Sequence, residues 1–148
     1  MGIDGGLVTS KTPAIHATTV AHAGKAVVIR GASGSGKSAL ALQLIALGAR
    51  LVADDRTLLS RRNEQVIASC PLPIAGRIEA RGIGILAVPT SGPCPVALVV
   101  DMDTAEAERL PPHRHTTIEG ITLPLQRNVK MPHFPAAILS YLEHGRLE

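Results

Sequence analysis

The sequence predicts a single α/β domain built around a phosphate-binding loop. Its 148 residues suit one domain with one hydrophobic core. Apolar residues make up 45% of the chain but aromatic residues only 1%, so the core is expected to consist of Ala, Val, Leu and Ile. Such a core suits strands that helices cover on both faces. The third observation is a glycine-rich loop that follows an apolar segment and precedes a helical one.

The first half of the chain reads as strand, loop, helix and strand, followed by a hairpin. "KAVVIR" (25–30) predicts a buried strand, and "SALALQLIALG" (38–48) has the apolar spacing of a helix that ends at Gly48. "ARLVADD" (49–55) predicts a second strand that ends in acids. "TLLS" (57–60) and "QVIAS" (65–69) flank a polar "RRNEQ" turn, as in a β-hairpin.

The second half has fewer regular signals. "IEARGIGILAVP" (78–89) predicts loop and strand, since its glycines disfavour a helix. "PVALVVDMD" (95–103) predicts a buried strand with an acidic tip, and "TAEAER" (104–109) a short helix. Residues 110–135, rich in Pro and His, are expected to form a surface loop in which "GITLPL" is the one plausible strand. "PAAILSYLEHG" (135–145) predicts a terminal helix, and no repeat or linker divides the chain.

Charge and cysteine content exclude several classes of function. The formal charge is only +3 and the basic residues are scattered; with one Tyr, one Phe and no Trp, nucleic-acid binding is not indicated. The N-terminus lacks a basic head followed by an apolar run, and no segment approaches the length of a membrane span. Cys70 and Cys94 form no CxxC motif and are expected to be free thiols. We therefore expect a cytoplasmic protein in a reducing compartment.

The strongest motif is G-x-x-x-x-G-K-[ST], which residues 31–38 fit at every required position. Backbone N–H groups of such a loop, and the start of the following helix, face phosphate oxygens. Lys37 would bridge the β- and γ-phosphates, and the Ser38 hydroxyl would hold Mg²⁺. A glycine-rich turn without a ligand is the alternative, but the strand before and the helix after disfavour it. The predicted nucleotide-binding residues are Gly31, Ala32, Ser33, Gly34, Ser35, Gly36, Lys37 and Ser38.

Two segments offer the acidic residue that such a loop requires near its metal. Asp101 follows "VALVV" in the manner of a Walker B strand, whereas Asp54 and Asp55 form a pair at the end of a predicted strand. Both members of the pair can approach the phosphates where the chain turns. One would then serve the metal while the other accepts a proton from an incoming hydroxyl, as transfer to an alcohol requires. The alternative is a pair of solvated turn aspartates, with Asp101 serving the metal.

The order of these motifs resembles that of a known family. "GASGSGKSALALQLIALGARLVADD" followed by "IEARGIGIL" is similar to the catalytic C-terminal domain of HPr kinase/phosphorylase, over roughly residues 15–110. There a P-loop precedes an RG-x-x-LVADD segment and an E-[VI]-RG-[LM]-GI signature. The resemblance implies a P-loop domain with a mixed β-sheet flanked by helices, of the HPr kinase and phosphoenolpyruvate carboxykinase type. It also implies a short form without the family's N-terminal domain, because the first predicted strand begins at residue 25.

The resemblance further implies an activity: Mg²⁺- and ATP-dependent serine phosphorylation of an HPr-type phosphocarrier protein, which regulates a phosphotransferase system, in a homo-oligomer that is typically a hexamer. It assigns Asp55 as the base that takes the serine proton. Arg109, in "ERLP", is a looser match to a later catalytic arginine. The implied catalytic set is His16, Lys37, Asp55, Arg81 and Arg109, and the implied metal set is Ser38 and Glu79, with Asp54 as a further candidate.

Several alternatives stay open at this level. His16 could be a surface histidine, and Glu79 and Arg81 a solvated pair beside a strand. "LPLQRN" (123–128) lacks the Pro-Gly of the family's "PVRPGRN"-like segment, which favours the kinase direction over phosphorolytic dephosphorylation. His113, His115 and His133 match no compact zinc pattern. A non-catalytic nucleotide-sensing regulator that binds a partner protein is the competing function; Asp55 favours the enzyme, since a sensor needs no base.

Overall fold

The computed structural model describes residues 13–148. The first twelve residues, for which the sequence predicts no leader, lie outside the described part. Between residues 13 and 148 the chain forms ten strands, two α-helices and one 3₁₀ turn. In chain order they are β1 (Ala14–His22), β2 (Lys25–Arg30), α1 (Lys37–Ala46), β3 (Arg50–Ala53), β4 (Arg56–Arg62), β5 (Gln65–Ser69), the 3₁₀ turn (Leu72–Ile74), β6 (Arg77–Ala80), β7 (Gly84–Ala87), β8 (Cys94–Ala105), β9 (Arg114–Ile118), β10 (Ile121–Asn128) and α2 (Phe134–His144).

The main sheet is mixed, and β8 is its central strand. β8 runs parallel to β2 on one side and to β10 on the other. β1 pairs antiparallel with β2 and also with β3, while β9 is antiparallel to β10. The order across the sheet is therefore β3-β1-β2-β8-β10-β9. This arrangement confirms the predicted P-loop domain with a mixed sheet and flanking helices.

β4 and β5 close a ring of five strands. The first residues of β1 pair with β4, β4 pairs with β5, and β5 pairs with the start of β8. Because β8 and β1 both also pair with β2, the strands β1, β4, β5, β8 and β2 form a continuous circuit. The β4–β5 turn at Asn63 has a positive φ of 57°, and this hairpin confirms the one predicted around "RRNEQ".

Two apolar clusters lie on opposite faces of the main sheet. One lies beneath α1 and α2 and includes Leu44, Ile78 and Leu142. The other lies inside the ring and is made of strand residues such as Val28, Leu59 and Val99. Aliphatic residues dominate both clusters, as the composition predicts. The expectation that helices cover both faces was wrong, since strands β4 and β5 enclose the second cluster.

Three further element predictions need correction. The predicted first strand, "KAVVIR", is the second, because β1 precedes it. "TAEAER" is not a short helix: β8 continues to Ala105, where it still pairs with β10, and an irregular segment follows. Residues 110–135 are not mainly loop, since they contain the β9–β10 hairpin and the start of α2. Cys70 and Cys94 are both free thiols.

The two α-helices of residues 13–148 are short, and neither is both long and apolar enough to span a membrane.

Candidate active site

The phosphate-binding loop connects β2 to α1 and has the backbone that a cradle for anions requires. Gly31, Gly34 and Gly36 all have positive φ angles, and the Ser35 N–H donates to the Ala32 carbonyl oxygen at 3.0 Å. Gly31 permits the tightest approach, because a Cβ there would lie 2.7 Å from Ser35 Oγ. The loop then leads directly into the N-terminus of α1, whose free N–H groups favour negative charge.

Lys37 is buried and folds back over this loop. Its Nζ donates to the carbonyl oxygens of Gly31, at 2.9 Å, and Ala32, at 3.1 Å. These bonds hold the ammonium group against the loop, and the same side chain lines the cavity outside it. The Ala32 N–H donates to both carboxylate oxygens of Asp103, at 2.9 and 3.1 Å, so the acidic tip of β8 anchors the start of the loop.

Asp54 is a buried carboxylate with three hydrogen-bond donors. Oδ1 accepts from the hydroxyls of Ser38, at 2.7 Å, and Thr18, at 2.9 Å. Oδ2 accepts from the Glu79 N–H at 3.0 Å. Asp54 therefore connects β1, α1 and β6, three elements that lie far apart in the chain. Charge-assisted bonds of this kind offset the cost of burying a carboxylate.

Asp55 has an unusual backbone conformation and different partners from its neighbour Asp54. Its φ of 68° lies in the left-handed region, which costs about 1–2 kcal/mol for a residue with a side chain. The Thr18 hydroxyl accepts the Asp55 N–H at 3.1 Å and so stabilises the turn. Asp54 thus faces Ser38, whereas the Asp55 side chain is 65% exposed and lies 2.6 Å, Oδ1 to Nε2, from His16. The two adjacent carboxylates have different environments and are suited to different tasks.

A cavity of about 370 Å³ brings most of the predicted site residues together. Arg81, in the turn after β6, reaches the loop, since its Nη2 lies 4.0 Å from the place where a Gly34 Cβ would stand. The predicted residues that line the cavity are His16, Ser33, Gly34, Gly36, Lys37, Ser38, Asp55, Glu79 and Arg81.

Arg109 is not among those lining residues. It lies beside a separate cavity of about 700 Å³ between α2 and residues 105–111, so its assignment stays a prediction without a contact to the loop. Asp101 Oδ1 accepts the Asp103 N–H at 2.9 Å and is not a lining residue either. Although the second cavity is larger, the loop cavity holds the phosphate cradle and the paired carboxylates, and we place the candidate active site there.

The oxygen groups beside the loop fit Mg²⁺. The Ser38 hydroxyl and the Asp54 and Glu79 carboxylates are hard ligands, and Mg²⁺ is usually held by one or two carboxylates together with substrate phosphates. No group of three or more His, Cys, Asp or Glu side chains in residues 13–148 is arranged as a complete metal cage.

Sequence reasoning missed two residues that organise the site. Thr18 is fully buried and contacts both aspartates, and Asp103 anchors the loop. Thr18 lies in "AIHATTVAH". The polar residues of this segment interrupt the apolar pattern from which a strand is predicted. Asp103 is the second acid in "DMD", but no local sequence signal indicated that it accepts a hydrogen bond from the Ala32 N–H.

A family model for the HPr serine kinase C-terminal domain matches residues 8–92, more than half of the chain. The chain belongs to this family. The family resemblance expected from the motifs is confirmed. The structure is also similar to that of the HPr(Ser) kinase/phosphatase from Coxiella burnetii, with a TM-score of 0.74 and 30% identity, over 88% of this chain and 94% of that one.

Curated relatives of this HPr kinase family member carry the name HPr kinase/phosphorylase. The protein from Limosilactobacillus reuteri is 36% identical over 123 residues, 74% of this chain and 38% of its own length. Those from Clostridium tetani and Bordetella pertussis are 42% and 44% identical over 76 and 80 residues, about half of this chain and about a quarter of theirs. The match thus spans about a quarter to two fifths of the curated relatives.

Proposed function

We propose that this chain transfers the γ-phosphoryl group of ATP to a serine hydroxyl of an HPr-type phosphocarrier protein. The observation that carries the proposal is the exposed Asp55 carboxylate, which pairs with His16 and lines the same cavity as Lys37 and the phosphate loop. Family membership supports the reaction class. A base beside a phosphate cradle suits an alcohol as the acceptor, because the alcohol must lose its proton during attack.

The polar groups in and beside the cavity have distinct roles in this proposal. The loop N–H groups and Lys37 bind the β- and γ-phosphates, and Arg81 stabilises the charge that develops on the transferred group. Asp55 takes the hydroxyl proton as the serine oxygen bonds to the γ-phosphorus and the bond to the bridging oxygen of ADP breaks. An Nε2–H of His16 orients Asp55 Oδ1 and leaves Oδ2 free for the acceptor. Ser38, Asp54 and Glu79 would hold Mg²⁺, which neutralises phosphate charge when bound.

The decisive experiment compares Asp55→Asn with Asp101→Asn. Purified chain, Mg·ATP and an HPr-type carrier are mixed, and phosphoserine is located by mass spectrometry. General-base assistance is worth about 10²–10⁴ in rate, so Asp55→Asn should lose that factor while nucleotide affinity is kept. Asp101→Asn is the matched control: an amide oxygen can still accept the Asp103 N–H, and the rate should be unchanged. Nearly wild-type transfer by Asp55→Asn would assign the base to another residue.

The reverse reaction is proposed to be slow. "LPLQRN", which lacks the family's Pro-Gly, is part of β10, where it pairs with β8 and β9. We expect phosphorolysis of the phosphoserine carrier by inorganic phosphate to be slower than phosphorylation, and pyrophosphate release measures it. Release as fast as phosphorylation would contradict this inference.

The cellular setting is also a proposal. We infer a cytoplasmic enzyme that regulates a phosphotransferase system and forms a hexamer. Sedimentation at several concentrations tests the oligomer, and a monomer at all of them would refute it.

A further inference from the structure

We propose that the outer face of the β6–β7 hairpin docks aliphatic side chains that flank the acceptor serine. The hairpin outer face consists of Arg77 and Glu79 on β6, Ile83 in the connecting turn, and Ile85 and Ala87 on β7. This inference rests on the proposed function, because it names the surface by which that same site holds its protein substrate.

The hairpin has one buried and one exposed face. Ile78 is fully buried and belongs to the cluster beneath α1 and α2. Cross-strand partners share a face in an antiparallel pair, and Arg77 pairs with Ala87 and Glu79 with Ile85, all four of them exposed. Alternation alone predicts polar side chains on such a face. Instead Ile85 is 56% exposed and Ile83 is 77% exposed.

These isoleucines adjoin the catalytic groups. Ile83 lines the loop cavity together with Lys37 and Asp55. Ile85 lies opposite Glu79 and lines an adjoining cavity of about 290 Å³ that also contacts Asp55. A serine whose hydroxyl lies within about 3 Å of Asp55 brings its chain neighbours, each spanning at most ~3.5 Å, over the same two side chains. A protein that delivers a serine hydroxyl to Asp55 therefore passes over Ile83 and Ile85.

The charges around this surface indicate the chemistry of the occupant. Arg56 and Arg77 line the adjoining cavity, and Arg81 lies beside the loop. Of the two exposed carboxylates nearby, Asp55 already pairs with His16, and Glu79 is a candidate metal ligand. The surface thus favours an acceptor segment with aliphatic residues beside its serine and carboxylates at the edge of the contact. Aliphatic contacts in the centre with a charged rim are typical of protein interfaces.

Ile85→Asp tests the surface. Burial of one isoleucine is worth about tenfold or more in affinity, so the KM for a purified HPr-type carrier should rise by at least about tenfold. The kcat at saturating carrier and the affinity for Mg·ATP should stay unchanged, and Ile85→Leu should restore the KM. Leu110→Asp is the matched control: Leu110 is 72% exposed, lies between β8 and β9, and lines neither cavity, so its KM should stay within about twofold.

A second measurement separates this inference from the proposed function. If the wild-type chain phosphorylates no carrier, the proposed function fails, and titration of the carrier with a non-hydrolysable ATP analogue present still tests docking. An Ile85→Asp variant with KM and carrier Kd both within about twofold of wild type would overturn the inference. An altered sedimentation coefficient with unchanged KM would also overturn it, because the face would then be a contact between copies of this chain.

Discussion

Thr18→Val tests the buried connection between the two aspartates. The substitution keeps the shape of the side chain and removes only the hydroxyl, which donates to Asp54 Oδ1 at 2.9 Å and accepts the Asp55 N–H at 3.1 Å. Because Thr18 is fully buried, water cannot replace either hydrogen bond in the variant. Asp54 keeps its bonds from Ser38 and Glu79, whereas the Asp55 N–H loses its side-chain acceptor.

The expected loss of stability follows from the two hydrogen bonds that the substitution removes. A hydrogen bond to a charged group is worth about 1.5–3 kcal/mol, and an orphaned N–H costs about 1–3 kcal/mol. Because Asp54 keeps two of its three donors, we expect the free energy of unfolding to fall by about 2–4 kcal/mol, somewhat less than the sum of these two contributions. For a domain of this size that corresponds to a fall in Tm of roughly 6–12 °C.

The assay is urea unfolding without nucleotide, which makes it independent of any catalytic role. Thr18→Ser is the matched control, since it keeps the hydroxyl and loses one buried methyl group, at a cost of about 1 kcal/mol. We expect Thr18→Val to be clearly less stable than Thr18→Ser. Equal stability of the two variants would show that the hydroxyl contributes nothing and that another interaction stabilises the turn at Asp55.

Two further predictions concern the loop and the partly buried ion pair of Arg114 with Glu106. Gly31→Ala should lower nucleotide affinity by about tenfold or more, since the new Cβ would stand 2.7 Å from Ser35 Oγ; Gly92→Ala, with no atom within 4 Å of the added carbon, is the control, and equal isothermal titration curves would refute the argument. The hydrogen bond from Arg114 lowers the pKa of Glu106, so this pair stabilises the fold above the ordinary Glu pKa of about 4.3 and loses that effect as pH falls through the lowered pKa. Glu106→Gln should therefore be less stable than wild type near pH 7 and equally stable in strong acid, and a pH-independent difference in urea midpoints would contradict this.

Local signals explain which parts of the fold could be predicted from the sequence. The strand before the loop, helix α1 and the β4–β5 hairpin follow from apolar spacing and turn residues within one short segment. β1 was missed because its Thr and His residues interrupt the apolar pattern. In the fold, Asp54 after β3 accepts a hydrogen bond from Thr18, and Thr57 on β4 forms one with Thr19. "TAEAER" has helical propensity, but pairing with β10 extends β8 into it instead.

In the candidate site, too, the sequence predicted what short motifs encode and missed what depends on the folded backbone and on distant contacts. The motif identifies Lys37 and Ser38, and the neighbouring aspartates are visible as a pair. The left-handed φ of Asp55 could not be predicted from the residue pattern. Arg109 was placed by a loose match, and contacts between distant segments decided where it lies.

The closed circuit of β1, β4, β5, β8 and β2 determines when the protein can fold during its synthesis. Every predicted site residue that lines the loop cavity is encoded before residue 82. The circuit is completed by β8, which begins only at Cys94 and flanks β2. Until β8 is synthesised, β2 has an open edge, and its Val28 and Ile29 cannot be fully enclosed. The nascent chain therefore carries the side chains that line the loop cavity before it has a fold to hold them, and the cavity assembles only after β8 has been synthesised.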